Sequence, residues 1–95
     1  MSVRVYISGA ISNDENYKEK FANAEKKLKE MGYIVINPTV LDSIDGLTYE
    51  EYMKIDLDLL SMCQAIYMLK GWEKSRGANR EYGYALAKGM VILTE

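Results

Sequence analysis

Residues 65–83 read AIYMLKGWEKSRGANREYG, and this stretch decides the fold. Its first five residues form an apolar run that is typical of a buried strand. A segment compatible with a helix follows, over residues 78–88. The polar loop between them holds Ser75-Arg76-Gly77, and Glu81 comes in the first turns of the helix. Ligands of an open α/β sheet bind where strands end and helices begin, so the sequence predicts a binding site here.

The same alternation of apolar strands and amphipathic helices extends over the whole chain. The predicted strands are 3–8, 33–37, 65–69 and 90–93, and the predicted helices are 14–31, 48–63 and 78–88. Short apolar strands between helices indicate a parallel sheet that is covered on both faces. We therefore predict one α/β domain over residues 1–95, a flavodoxin- or Rossmann-like three-layer sandwich with four parallel strands in the order 2-1-3-4. Right-handed crossovers then place the loops 9–13, 37–47 and 70–77 at one edge of the sheet.

Composition narrows the classes of function. The chain has 95 residues and a net charge of −2, without the basic stripe that binding to a nucleic acid polymer requires. No apolar run approaches the roughly 18 residues of a membrane span, and no signal peptide is visible, so we expect a cytoplasmic protein. Cys63 is the single cysteine, and its apolar surroundings predict a packed thiol rather than a nucleophile.

Histidine is absent from the sequence. This removes the commonest general base and the commonest metal ligand. Acid–base chemistry must then depend on carboxylates, tyrosine or lysine, and one cysteine without histidine argues against a zinc site. The sequence predicts neither a metal nor a cofactor.

Asp56 interrupts the apolar face of the second predicted helix. Helical spacing places it among Ile55, Leu59 and Met62, whereas Asp58 points away from this face. A carboxylate on an apolar face is unfavourable unless it is paired or belongs to a site. Two interpretations stay open: Asp56 caps a loop or pairs with an arginine, or it is a proton donor with a raised pKa.

Glu81 also has two interpretations. An acidic residue near a helix N-terminus is common because the helix dipole favours it. Together with Asp56, however, Glu81 forms a pair of carboxylates that converge from two helices. Such a pair favours a nucleophile and an acid that act on a glycosidic bond.

Five short motifs, spread over nearly the whole chain, resemble a known group of proteins. These motifs are Val5-Tyr6-Ile7-Ser8-Gly9, Gly32-Tyr33-Ile34-Val35-Ile36-Asn37-Pro38, Tyr49-Glu50-Glu51-Tyr52, Asp56-Leu57 and Gly71-Trp72-Glu73-Lys74-Ser75-Arg76-Gly77-Ala78. In them the chain resembles the DUF4406 family, which consists of short proteins of uncharacterised function from phages and bacteria. The chain also resembles the nucleoside 2-deoxyribosyltransferase-like superfamily, in which this family is placed and which includes the 2'-deoxynucleoside 5'-monophosphate N-glycosidases.

The resemblance implies three catalytic residues. Glu81 matches the nucleophile that attacks C1' of deoxyribose, in a Ser-x-Gly-x-x-x-Glu pattern completed by Ser75 and Gly77. Asp56, followed by leucine, matches the residue that handles the proton of the leaving base. Tyr6, in a Tyr-x-x-Gly pattern, matches the tyrosine that hydrogen-bonds the nucleophile.

The resemblance also implies a site for the 5'-phosphate at Ser75. Lys74, Arg76 and Arg80 add positive charge around it, although they could equally be solvated loop cations. Trp72 could stack on a base, or it could be an apolar plug or a dimer contact. The other predicted binding residues are Gly9, Ala10, Asn37 and Asn79, with a further contribution from Tyr17. Ala10 stands where the enzymes have a polar residue, which removes one phosphate contact.

Three hypotheses for function follow. The first is an N-glycosidase or deoxyribosyltransferase that acts on a (deoxy)nucleoside 5'-monophosphate. The second is a protein that binds or sequesters a nucleotide or an ADP-ribose-type metabolite without turnover. The third is an interaction protein with a relic pocket. For the first two hypotheses the expected partner is a small nucleotide or nucleoside, and we expect the chain to form a homodimer or higher homo-oligomer.

Overall fold

A computed structural model describes residues 2–12 and 14–95 of the chain. Strands and helices alternate along it, separated at two places by short 3-10 helices, at Pro38–Ser43 and Trp72–Lys74. The strands are β1 (Arg4–Ser8), β2 (Ile34–Ile36), β3 (Ala65–Met68) and β4 (Val91–Thr94), and the helices are α1 (Tyr17–Glu30), α2 (Tyr49–Ser61) and α3 (Arg76–Ala87).

The four strands form one parallel sheet in the order β2-β1-β3-β4. This confirms the predicted topology and strand order. In the register of the two central strands, Tyr6 lies beside Ile66 and Ser8 beside Met68. Because the strands are parallel, the loops that follow β1, β2 and β3 meet at one edge of the sheet, as predicted for loops 9–13, 37–47 and 70–77. Asn13, at the end of the first loop, lies outside the described residues.

The sheet separates two apolar cores. Val5 and Ile7 of β1 pack with Phe21 and Leu28 of α1 on one face. Tyr6 packs on the other face, in the core that contains residues of α2 and α3. Since successive side chains of a strand point to opposite faces, Ser8 shares the face of Tyr6. Two polar side chains of the central strand are therefore directed towards α2 and α3.

Helix boundaries follow local capping chemistry. Thr48 and Glu51 form the predicted capping box at the start of α2, with both reciprocal hydrogen bonds present. Helix α3 begins at Arg76, two residues before the predicted start, because the Ser75 hydroxyl accepts from the Ala78 N–H and acts as the N-cap. Gly32, at φ +93°, follows α1 in the left-handed conformation that glycine adopts readily.

Cys63 is buried just after α2, and its thiol donates to the Leu59 carbonyl at 3.5 Å. Burial raises the pKa of the Cys63 thiol to about 11. The thiol is therefore protonated at neutral pH, which agrees with the predicted packing function. None of the helices in the described part of the chain is long and apolar enough to cross a membrane.

Candidate active site

A cavity of about 730 Å³ opens at the edge of the sheet where the strands end. Its walls come from all three of the loops that follow β1, β2 and β3, and from α1, α2 and α3. Glu81, Asp56, Ser75, Arg76, Gly77 and Gly9, all predicted site residues, line it. The fold thus brings the two predicted carboxylates and the predicted phosphate loop to one cavity.

Glu81 lies on α3 and is only 5% exposed. Its Oε2 accepts a hydrogen bond of 2.6 Å from the Tyr6 hydroxyl, and its Oε1 accepts one of 2.6 Å from the Ser8 hydroxyl. Both donors project from the same face of β1, so a rigid central strand fixes both carboxylate oxygens. A buried carboxylate held in this way is oriented before any ligand arrives.

Burial raises the pKa of Glu81 to about 7, and the hydrogen bonds from Ser8 and Tyr6 oppose this rise. The charge of Asp56 adds to the rise, which places the two carboxylates within electrostatic reach of each other. Burial and the neighbouring Glu81 also raise the pKa of Tyr6 well above its usual value. Tyr6 therefore remains a hydroxyl donor over the pH range in which Glu81 titrates.

Asp56 is 8% exposed on α2, and its Oδ1 has no hydrogen-bond partner among residues 2–12 and 14–95. Neither the loop cap nor the arginine partner of the simpler interpretation is present in this part of the chain. Burial, with a smaller contribution from the charge of Asp42, raises the pKa of Asp56 to about 6. Asp58 is exposed, as the helical spacing predicted. Asp56 is therefore a carboxyl group that can hold and release a proton near neutral pH.

The N-terminus of α3 forms another wall of the cavity. Ser75 accepts from the Ala78 N–H at 3.1 Å, and its own hydroxyl proton is left to donate. The first-turn N–H groups of an α-helix have no acceptor within the helix, so those of Arg76 and Gly77 can bind an anion. A Cβ at Gly77 would lie 3.2 Å from the Met53 sulfur, so the backbone there approaches α2 closely.

Positive charge near this helix end is partly neutralised. Arg76 and Arg80 both pair with Glu50, at 3.7 Å and 3.0 Å. The Arg76 guanidinium also lies 4.5 Å from the centre of the Tyr49 ring. Lys74 and Arg76 line the cavity, whereas Arg80 does not. Two of the three predicted cations thus face the site.

Four predicted binding residues lie outside the cavity lining. Trp72 packs on the ring of Tyr82, with 4.6 Å between ring centres, and contributes to the core beside α3. Asn79 donates to the backbone carbonyls of Glu73 and Ser75. Asn37 caps the following 3-10 helix through its side-chain oxygen and donates its amide to Glu25. Ala10 also lies outside the lining, although Gly9 beside it is part of the wall.

Ser8 and Asp42 are site residues that the sequence analysis missed. Ser8 follows Tyr6 by two positions in a strand, and this period-two spacing could have revealed it. Asp42 lies in the 3-10 helix after β2 and lines the cavity, where its Oδ2 accepts a hydrogen bond of 2.7 Å from Tyr17. No periodic pattern in the sequence marks this residue, because its position depends on an irregular loop.

The arrangement can perform nucleophilic and acid–base chemistry. Glu81 is an oriented carboxylate, and Asp56, whose Oδ1 has no partner among the described residues, lines the same cavity. Pairs of this kind act on glycosidic bonds, where one group attacks or stabilises the sugar carbon and the other protonates the leaving group.

The family model described as "Domain of unknown function (DUF4406)" matches residues 3–94. No curated protein matches the chain.

Several solved structures share the fold. A 2-desoxiribosyltransferase from Leishmania mexicana superposes with a TM-score of 0.74 at 24% identity, over 97% of this chain and 63% of its own. A CMP N-glycosidase from Clostridium botulinum superposes with a TM-score of 0.69 at 25% identity, over 96% of this chain and 69% of its own. A 2-deoxyribosyltransferase from Bacillus psychrosaccharolyticus superposes with a TM-score of 0.73 at 18% identity, over 96% of this chain and 70% of its own. The chain thus spans less than two thirds of the length of the Leishmania protein.

Proposed function

The chain belongs to the DUF4406 family, and from this premise we propose that it cleaves the N-glycosidic bond of a nucleoside 5'-monophosphate. Glu81 is the proposed nucleophile, Asp56 the proposed acid and Tyr6 the proposed orienting residue. Free base is released, and the sugar passes through a covalent intermediate on Glu81.

One observation carries this proposal. A buried glutamate, with each oxygen fixed by a hydroxyl of β1, shares a cavity with a buried aspartate whose Oδ1 has no partner in the described chain. A site that only binds a ligand has no need of this pair, because burying two carboxyl groups is unfavourable for folding. An enzyme that must both attack C1' and protonate a base needs both groups.

The proposed reaction has two steps. Glu81 forms a bond to C1' as the bond from C1' to the base nitrogen breaks, and the base leaves with the bonding electron pair and a proton from Asp56. Water then attacks C1' while the Asp56 carboxylate takes a proton from it. The bond to Glu81 breaks, and sugar 5-phosphate is released. When a second base replaces water, the same intermediate gives a transferase.

The anion site at the start of α3 supports a phosphorylated substrate. Ser75 has a hydroxyl proton to donate, the first-turn N–H groups lack helical acceptors, and Arg76 and Lys74 supply positive charge. Glu81 lies on the same helix, less than two turns beyond Ser75, so a sugar held through its 5'-phosphate would be placed over the nucleophile. The CMP N-glycosidase with the similar fold is consistent with a nucleotide substrate.

The test is release of free base from a panel of ribo- and deoxyribonucleoside 5'-monophosphates, followed by liquid chromatography. We expect release by the wild type and its loss in Glu81→Gln. Glu73→Gln, which changes an exposed glutamate outside the cavity lining, is the matched control and should leave release unchanged. Absence of release from every nucleotide, together with tight binding by calorimetry, would contradict the proposal and favour a sequestering protein.

A further inference from the structure

On the basis of the proposed function, we propose that Asp42 selects the base of the substrate. The cavity favours a base that carries an amino group, in place of a carbonyl oxygen, at pyrimidine C4 or purine C6. Cytosine and adenine have this amino group, whereas uracil, thymine, guanine and hypoxanthine present an oxygen at that position.

The three carboxylates of the cavity form an ordered series. Helix α2, which carries Asp56, packs against both the 3-10 helix that carries Asp42 and the helix α3 that carries Glu81. Asp56 is therefore a neighbour of both, and, in addition to the effect of burial, its pKa is raised by the charge of Asp42 while its own charge raises that of Glu81. A substrate whose sugar carbon contacts Glu81 and whose base takes a proton from Asp56 would extend towards Asp42.

The topology places the phosphate at the opposite end. Ser75 follows β3 and Asp42 follows β2, and these strands flank β1 on its two sides. The cations that line the cavity, Lys74 and Arg76, lie on the Ser75 side. A phosphate near Asp42 would meet a like charge, so the electrostatics favour one direction of binding, with the base at the Asp42 end.

Asp42 is held in place for this contact. Its Oδ2 accepts from the Tyr17 hydroxyl at 2.7 Å, and both side chains line the cavity. Within the described chain, no hydrogen bond is formed to the other oxygen, Oδ1. A carboxylate can only accept hydrogen bonds, so this oxygen is complementary to an N–H group of a ligand and repels a carbonyl oxygen.

The carboxyl group of Asp56 supplies the second contact. Asp56 is more than nine-tenths buried and faces the same cavity. In its protonated form it can donate to a ring nitrogen next to the amino group, such as N3 of cytosine or N1 or N7 of adenine. A ring nitrogen acceptor beside an amino donor fits the two aspartates at once. Uracil has a donor N–H at N3 and an acceptor oxygen at C4, so it fits neither aspartate.

The experiment compares matched nucleotides, CMP with UMP and AMP with IMP, in both base release and calorimetric binding. The wild type should prefer the amino member of each pair by at least about tenfold, because a carbonyl oxygen would face the Asp42 carboxylate and leave the buried Asp56 carboxyl unpaired. Asp42→Asn, whose amide can also donate, should reduce this preference by about tenfold or more. Asp45→Asn, an exposed aspartate nearby that is not part of the cavity lining, is the matched control.

The outcomes separate the two proposals. A wild-type preference below about twofold, or one that Asp42→Asn leaves unchanged, overturns the assignment of Asp42 even if base release proceeds. Absence of release with an amino preference in binding that Asp42→Asn removes would overturn the proposed catalysis and leave the assignment of Asp42 standing. Tyr17→Phe provides a second variant, since it removes the hydrogen bond that orients the Asp42 carboxylate and leaves the charge of Asp42 unchanged. It should raise KM for CMP more than it lowers kcat.

Discussion

The Tyr6 hydroxyl donates a hydrogen bond of 2.6 Å to Glu81, although the two residues are 75 positions apart in the chain. The bond joins the central strand to the last helix, across the core between the sheet and α2 and α3. It also opposes the effect of burial, which raises the pKa of Glu81. The orientation of Glu81 and its ionisation thus depend on the same contact.

Tyr6→Phe should therefore lower kcat for base release by about 10- to 100-fold, which corresponds to the loss of a buried hydrogen bond to a charged group. KM should change little, because Tyr6 acts on the nucleophile. The alkaline limb of the pH profile should move to higher pH, since Glu81 without this donor is harder to ionise and its pKa is the higher of the two. Tyr84→Phe, a tyrosine of α3 outside the cavity lining, is the control. An unshifted alkaline limb in Tyr6→Phe would refute the coupling.

The same pair of carboxylates predicts the pH dependence of catalysis. Glu81, with a pKa of about 7, must be ionised to attack, and Asp56, with a pKa of about 6, must be protonated to donate. The active form is then the minor tautomer of the singly protonated pair, so activity should fall at low pH, where both groups are protonated, and at high pH, where both are ionised. A narrow bell-shaped profile of kcat/KM with its maximum between these values is expected, and its limbs belong to the coupled pair.

Asp56→Asn tests which group is the acid. The variant should show a lower rate and no alkaline limb, because its amide does not titrate. Asp58→Asn, on the exposed side of the same helix, should retain the bell-shaped pH profile of kcat/KM with both limbs. If the alkaline limb persists in Asp56→Asn, a group other than Asp56 supplies the proton.

Asp56 should also lower the stability of the folded protein at neutral pH. Its pKa is raised to about 6 in the folded state from 3.8, so the folded protein binds this proton more tightly than the unfolded chain. The unfavourable contribution is absent below the lower value and complete above the higher one. Asp56→Asn should therefore raise the free energy of unfolding by about 3 kcal/mol at pH 8, and by about 1 kcal/mol at pH 4.5. Urea unfolding at the two pH values measures this difference, and Asp58→Asn should show none.

Regular periodicity explains which parts of the site could be predicted from the sequence. The burial of Asp56 follows from helical spacing, and the strand order follows from alternating strands and helices with right-handed crossovers. The apolar pattern does not fix the ends of helices, because a side-chain cap such as Ser75 extends α3 beyond that pattern.

Residues in irregular segments could not be placed in this way. Asp42 reaches the cavity only because a 3-10 helix follows β2, and Trp72 turns to Tyr82 instead of lining the cavity. In both cases the orientation depends on contacts between segments that are distant in the sequence. Asn37 and Asn79 satisfy local polar groups, which is the common use of asparagine at loop and helix ends.

The anion site at the start of α3 gives the last prediction. Ser75→Ala would be ambiguous, because Ser75 is also the N-cap of α3 and its loss destabilises a helix by about 1 kcal/mol. Arg76→Gln avoids this problem, since Arg76 is exposed and lines the cavity. Its KM for a nucleoside 5'-monophosphate should rise by about tenfold, the loss expected for one charge-assisted contact, whereas activity on the matching nucleoside should not change.

Arg80→Gln is the matched control for this test, because Arg80 shares the partner Glu50 and lies outside the cavity lining. Steady-state kinetics with CMP and cytidine at two salt concentrations would measure the effect. The difference between Arg76→Gln and the wild type should shrink at high salt, where contacts between exposed charges are screened. Equal changes in KM for nucleotide and nucleoside would show that Arg76 supports the fold of the loop and does not bind phosphate.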